Sequence, residues 1–295
     1  MSKRYEELDF TDDFIFCKIL YNNEPLCKEL LEVILGKKIR KIVYHDWQKQ
    51  IEMTAEGKGV RLDVYLEDGH TVYDLEMQAA RKKNLPKRSR YYQGMIDLNL
   101  IGGGADYEKL KESYVIFICT YDLFGKNACV YTFENRCREV EGLCLEDGTM
   151  KVFLNAEGDT SKLTPELRDF LDYVAGRRIH GKLVAKIEEE VRKARKHEEW
   201  RTEYMTFEML QREKYKEGVE YGKKLGERRG EKRGEKRGEK RGEKRGEKRG
   251  IGLGKLDAIR RMQRKGLSME EIMDMGYTMD EYKQALQTEN QLIEK

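Results

Sequence analysis

Proline is nearly absent. The 295 residues hold three, Pro25, Pro86 and Pro165, and none follows Pro165, so no proline breaks a helix beyond that point. Six cysteines (Cys17, Cys27, Cys119, Cys129, Cys137, Cys144) form no CxxC pair. The four histidines, His45, His70, His180 and His197, lack ligand spacing. That argues against a zinc site and reads as free thiols in a reducing compartment. There is no apolar run of about 18 residues, which excludes a transmembrane helix, and no signal-peptide pattern opens the chain. The expected location is cytoplasmic, in an interior of bacterial type, with no membrane partner.

Charge is what the chain has in excess. Charged residues make up 38% and hydrophobic residues 39%, against a usual charged quarter. The net charge is +3. Residues 226–250 alone hold twelve Lys/Arg and six Glu, a net of +6, so the remainder is near −3. A surface for nucleic acid on the folded part must therefore be local.

The most informative stretch is Val60 to Gln78. It reads as two strands around Asp68-Gly69, since Asp-Gly between alternating apolar residues is a strong hairpin signal. A two-residue turn there puts Asp63 opposite Asp74 and Arg61 opposite Glu76. Period-two alternation places Asp63, Asp74, Glu76 and Gln78 on one face and Leu62, Val64, Leu75 and Met77 on the core face. Diagonal neighbours lie roughly 7–8 Å apart. Carboxylates so close repel one another, and a divalent cation such as Mg²⁺, which prefers oxygen ligands, settles the repulsion.

In chain order, Thr11 or Asp12 caps a helix reaching about Ile34, split at Asn22-Asn23-Glu24-Pro25 and stopped at Gly36. Lys38 to His45 suits a first strand, and the hairpin supplies two more. Arg81 to Arg90 carries six cations and no acid. Pro86 fits the first turn of a helix to about Ile101. Ser113 to Tyr121 is a near-continuous apolar run, the mark of a strand buried on both faces. Shorter strands follow near Cys129–Phe133 and Met150–Leu154, and Thr164-Pro165 opens another helix.

From residue 177 to 225 apolar positions at helical spacing (Leu183, Val184, Ile187, Val191, Trp200, Tyr204, Phe207, Leu210) predict a long amphipathic helix. Gly-Glu-Lys-Arg then repeats every four residues from Gly230 to Arg249, after a variant unit at Gly226. Glycine disfavours helix and no apolar face offsets it, so a frayed helix or disorder is expected, with weak affinity for nucleic acid. Beyond Leu253 two Gly turns separate capped helices in a loose likeness to helix-turn-helix. The segment Thr278–Leu286 has one Lys against two acids, which favours a helical interaction or homo-oligomerisation tail over sequence reading.

The order helix, strand, strand, strand, helix, strand resembles the αβββαβ core of the PD-(D/E)xK nuclease superfamily. More closely, Thr11-Asp12-Asp13-Phe14-Ile15-Phe16, Arg61-Leu62-Asp63, Asp74-Leu75-Glu76-Met77-Gln78 and Arg88-Ser89-Arg90-Tyr91-Tyr92 resemble the PD-(D/E)xK nuclease family transposases, or Rpn recombination-promoting nucleases. The likeness covers roughly residues 5–155. It implies an α/β, restriction-endonuclease-like core with a mixed central sheet, here followed by long charged C-terminal helices. The expected domains are 1–160, a helical extension 161–225, the repeat linker 226–250 and a tail 251–295.

The resemblance also implies a Mg²⁺-dependent DNA endonuclease linked to recombination or transposition, with Mn²⁺ as a substitute. Asp63 takes the place of the first motif acid and Glu76 that of (D/E) in (D/E)xK, both as metal ligands. Gln78 stands where the superfamily usually has Lys and orients groups by hydrogen bonding without charge. Lys87, Arg88, Arg90 and Tyr91 are the candidate DNA-binding residues. Several alternatives stay open. Asp74 either supports the site or is the polar half of an alternation. Asp12 and Asp13 are helix-start residues, or one of them faces the site. The basic decade is a phosphate surface or a solvated loop. Tyr91-Tyr92 stacks on a base or joins the core. Gln78 also keeps open a different class of function, a catalytically weak or inactive nucleic-acid-binding or assembly module on the same fold.

Overall fold

The computed structural model describes residues 3–51 and 59–293. The chain divides into two compact units, Met1–Met209 and Leu210–Lys295. The first is built on helices α1 (Asp13–Asn22), α2 (Glu24–Leu35), α3 (Leu85–Leu100), α4 (Pro165–Val174) and α5 (Lys182–Ala194). Its strands are β1 (Tyr44–Ile51), β2 (Val60–Glu67), β3 (Thr71–Gln78), β4 (Glu112–Cys119), β5 (Val130–Phe133) and β6 (Thr149–Asn155).

The six strands form one mixed sheet in the order β1-β2-β3-β4-β6-β5. Pairing is antiparallel from β1 to β3, parallel for β3–β4 and β4–β6, and antiparallel for β5–β6. Strands β3 and β4 lie side by side in parallel, so α3 is the crossover between them. Val115, Phe117 and Cys119 of β4 pack on the α3 side, and Ile116 and Ile118 pack with α1, α2, α4 and α5. This alternation explains the unbroken apolar run: the strand is covered on both faces.

Local signals read from the chain account for most helix ends. Asn23 separates α1 from α2, and its side-chain oxygen accepts the Leu26 N–H at 3.1 Å. Gly36 closes α2 at φ 63°, a left-handed position that favours glycine. The hydroxyl of Thr164 caps α4 at 3.4 Å.

Before the repeat segment, four expectations need correction. The Lys38–His45 segment is not the first strand. Ile39 and Ile42 are buried three residues apart, which anchors the segment without period-two alternation, and β1 starts at Tyr44. As an edge strand β1 pairs, among the described residues, only with β2, so its sequence carries little apolar signal. The hairpin reverses at Gly69-His70, and Gly69 alone of that pair has positive φ, 93°. The Asp68 carboxylate accepts the N–H groups of His70 (3.2 Å) and Thr71 (2.9 Å), so Asp68 precedes the turn as an Asx cap. The register moves accordingly: Glu67 pairs with Val72 and Val64 with Leu75. Leu62 also leaves the expected face. It packs with α3, whereas Val64 packs with α1 and α2. Lastly, the helix predicted over 177–225 is interrupted between α5 and a new helix α6 (Glu198–Arg264). There the N-terminal segment takes hold of the chain: the Tyr5 hydroxyl donates to the Ala194 carbonyl and Arg195 Nε to the Leu8 carbonyl at 2.7 Å.

The second unit contains the greater part of α6 with α7 (Met269–Asp274) and α8 (Met279–Ile293). Ile259, Ile272 and Ala285 form its small core. Ser268 with Glu271 closes a capping box, and Thr278 with Glu281 makes the same reciprocal bonds. Through 226–250 the helix runs unbroken, where a frayed helix or disorder was expected. Each interior glycine costs about 1 kcal/mol. Each repeat Lys except Lys248 has a Glu three residues on, as Lys232 has Glu235, and this spacing offsets about 0.2–0.5 kcal/mol.

Helix α1 depends on aromatic packing. Phe16 is fully buried, with its ring centroid 5.3 Å from that of Phe10. Phe16→Ala is expected to destabilise the first unit by about 3–5 kcal/mol, read as a lowered urea midpoint with an unchanged slope.

Candidate active site

Backbone pairing of β2 with β3 stops at Val64–Leu75. One step further the same register sets Asp63 opposite Glu76. There the strands exchange side-chain bonds instead of backbone ones. Glu76 Oε1 accepts the Asp63 N–H at 3.0 Å, and Asp63 Oδ2 accepts the Met77 N–H at 3.3 Å. The other flank is interrupted as well. Strand β1 pairs through Trp47–Val64 and Lys49–Leu62 but skips Gln48, whose φ is 50°. This double interruption coincides with the change of face between Leu62 and Val64.

Helix α1 completes the cluster. One ligand atom each from Asp13, Cys17 and Asp63 lies within 4.8 Å of the others. Arg61 holds Asp13 at 2.9 Å, and the Cys17 thiol donates to Asp13 at 3.7 Å. From α3, Arg88 donates to Glu76 Oε2 (3.1 Å), to Gln78 Oε1 (3.1 Å) and to the Tyr92 hydroxyl (2.6 Å). Gln78 turns its amide nitrogen to the Met77 carbonyl at 2.8 Å.

Burial dominates the electrostatics. Asp63 is 6% exposed, Glu76 1% and Asp74 0%. Loss of solvation pushes the Asp63 carboxyl well up, helped by Glu76 and Asp13 and opposed by Arg61. Burial and then Asp74 raise Glu76, against the Arg88 guanidinium. Burial and Asp63 raise Asp74, neither of whose oxygens has a hydrogen-bond partner. The Cys17 thiol is pushed up by burial and by the Asp63 charge.

A cleft of about 680 Å³ opens over this cluster. Asp63, Glu76 and Gln78 line it, and so do Lys87, Arg88, Arg90 and Tyr91. The residues given a catalytic, metal-binding or DNA-binding role from the sequence thus border one cavity, whereas Asp74 and Asp12 do not line it. Arg88 is engaged inside the cluster, while Lys87 and Arg90 are exposed. Tyr92 belongs to the core against Phe117, and Asp12 is turned away toward Lys3 at 2.7 Å. Asp13 is the acid of the pair that faces the site. Sequence reasoning missed Cys17, whose signal was its position one helical turn after Asp13, and the reach of Arg61 to Asp13.

A mixed sheet with paired acids on its second and third strands, flanked by α1 and α3, is a restriction-endonuclease-like fold. Residues 9–140 match the family model described as PD-(D/E)XK nuclease family transposase, a stretch running from just before α1 to just past β5 and containing the whole cluster. No curated protein and no solved structure gives a significant match to the chain.

PD-(D/E)XK nucleases generally use divalent metals. The donors here fit one: oxygens of Asp13 and Asp63 lie within 4.8 Å of one another and suit a hard cation, Glu76 is bonded beside them, and the buried acids Asp63, Asp74 and Glu76 have too little positive charge next to them. Without a cation, burial favours the protonated forms of Asp63, Asp74 and Glu76. That stability is present below the ordinary carboxylate range, about 4, and is lost as pH rises through the raised values. In EDTA, Asp74→Asn is therefore expected to raise the melting temperature more at pH 8 than at pH 5. Scanning calorimetry at both values tests this, and an equal shift at the two would contradict it.

Proposed function

We propose that the chain hydrolyses DNA phosphodiester bonds at this cleft with Mg²⁺, Mn²⁺ serving as a substitute, and that it acts in recombination or transposition. The observation that carries the reading is the pair of cross-strand bonds, the Asp63 N–H to Glu76 and the Met77 N–H to Asp63, beneath a cleft bordered by Lys87, Arg90 and Tyr91. Asp63 and Glu76 would hold the ion, with Asp13 as a further oxygen donor. When bound, such an ion polarises a phosphate oxygen and lowers the pKa of a coordinated water.

The chain's own groups do the rest. Lys87 and Arg90 draw the phosphate backbone into the cleft, and Tyr91 offers a ring to a base. Gln78 accepts from Arg88 and donates to its own strand, so its part is to fix the guanidinium. Arg88 then presents, beside Glu76, a positive charge that Gln78 does not carry. The phosphate passes through a state with added negative charge, and a fixed cation favours that state over the ground state.

The other reading, a binding or assembly module without chemistry, is favoured by one contact: the Glu76–Arg88 ion pair at 3.1 Å already engages a carboxylate oxygen. Supercoiled-plasmid cleavage separates the two. With Mg²⁺ the wild type is expected to nick or cut, and EDTA and Glu76→Ala are each expected to abolish this. Arg88→Ala should lower the rate by about 10²–10³-fold, and Arg88→Lys should recover part of it. Cleavage that survives Glu76→Ala would place the chemistry elsewhere. A wild type that binds plasmid but never cleaves it, with Mg²⁺ or Mn²⁺, would establish the binding module.

A further inference from the structure

The largest feature that the cleft does not use is the repeat segment of α6. All of residues 226–250 are exposed. Among the described residues no ion pair forms within them. The residue period is four, while an α-helix turns about 100° per residue. If Gly sets the zero direction in a repeat, Glu lies at about 100°, Lys at about 200° and Arg at about 300°. Lys and Arg therefore share one side, and Gly with Glu take the opposite side. Successive repeats advance about 40° around the axis and about 6 Å along it. The outcome is a basic ribbon, two cations per repeat, that winds around the helix with the acids kept off it.

Composition alone does not produce such a ribbon. An order that sets Glu between Lys and Arg would mix the signs around the helix. The arrangement also has a cost. Lys follows Lys and Arg follows Arg at four residues' spacing, a repulsive neighbour relation in a helix, and the glycines add backbone entropy. A polyanion lying along the ribbon relieves the repulsion and favours the helical form. Duplex DNA carries a charge about every 1.7 Å of its axis, dense enough to meet each pair of cations.

We propose that this ribbon is a sequence-independent contact for the DNA backbone, separate from the cleft residues. The proposal rests on DNA being the substrate, and it specifies which further surface of the chain engages it. The ribbon raises the local concentration of DNA without reading sequence, because Lys and Arg contacts to phosphate carry none.

The test uses the full chain in EDTA and a fluorescent random-sequence duplex of 30 base pairs, followed by anisotropy across a salt series. Three chains are compared: wild type, deletion of residues 234–241, and a swapped chain. The swapped chain carries Glu231→Lys with Lys232→Glu, Glu239→Lys with Lys240→Glu, and Glu247→Lys with Lys248→Glu. It keeps composition and net charge and breaks the ribbon. The deletion is expected to reduce the slope of log K against log salt by about 2–3 and to weaken binding at least tenfold at 0.1 M salt. The swap is expected to weaken binding severalfold. DNA should slow hydrogen exchange at 226–250 in the wild type only. Equal binding by wild type and swapped chain would overturn the proposal, since charge would then act by number alone. A tenfold preference for a structured RNA over the duplex would overturn it in favour of RNA. Plasmid cleavage by the deleted chain is read separately. Loss of binding with intact cleavage at high DNA concentration supports the ribbon, whereas a wild type that binds through the ribbon and never cleaves removes only the nuclease reading.

Discussion

The site depends on the pair of bonds that Asp63 and Glu76 make across β2 and β3. Each carboxylate takes an N–H that a backbone carbonyl would otherwise accept. That exchange satisfies the donors of two diverging strands and brings two acids side by side inside the protein. Buried charge of one sign is expensive unless it is paired. One guanidinium from α3 and one from Arg61 are the cations tied to this cluster, set against Asp13, Asp63, Asp74 and Glu76. The layers of the fold serve this arrangement: α1 supplies Asp13 from one face of the sheet, and α3 supplies Arg88 from the other.

Much of this was legible because it rests on local rules. Period-two alternation put the acids of β3 on one face, the apolar run of β4 announced a strand covered on both sides, and Asn23, Gly36 and Thr164 marked helix ends. Parity also protected the hairpin reading. A register shift of two residues preserves the face, so Asp63 and Glu76 stayed together although the turn moved to Gly69-His70. What was not legible came from neighbours. The interruption at Gln48 depends on β1, whose polar sequence hides a strand, and it reverses the face between Leu62 and Val64. Asp13 and Cys17 reach the cluster only through packing of α1 on the sheet. No sequence spacing relates residue 13 to residue 63.

The C-terminal half failed in the opposite way. There the sequence is so regular that glycine propensity appeared decisive, and propensity is a weak guide when charge placement also acts. Spacing of three between Lys and the next Glu favours helix, and spacing of four between like charges opposes it. The same period that makes the segment poor in intrinsic helix stability sorts its cations onto one ribbon. A sequence maintained only as a solvated spacer has no need of that sorting, because any mixture of Gly, Glu, Lys and Arg is equally soluble.

Gln78 is best understood through the same charge balance. A lysine at that position would bring its ammonium into the space where Arg88 now bonds both Gln78 and Glu76. Two cations there would repel, and the delocalised guanidinium, with its fork of donors, already serves Glu76, Gln78 and Tyr92 at once. Glutamine is the neutral partner that such an arginine requires: its carbonyl accepts from Arg88, and its amide returns to the Met77 carbonyl. The positive charge beside the acids has thus moved from the strand to the helix behind it. The missing lysine is then a matter of which element carries the charge, and its absence from β3 is no argument that the site lacks a cation.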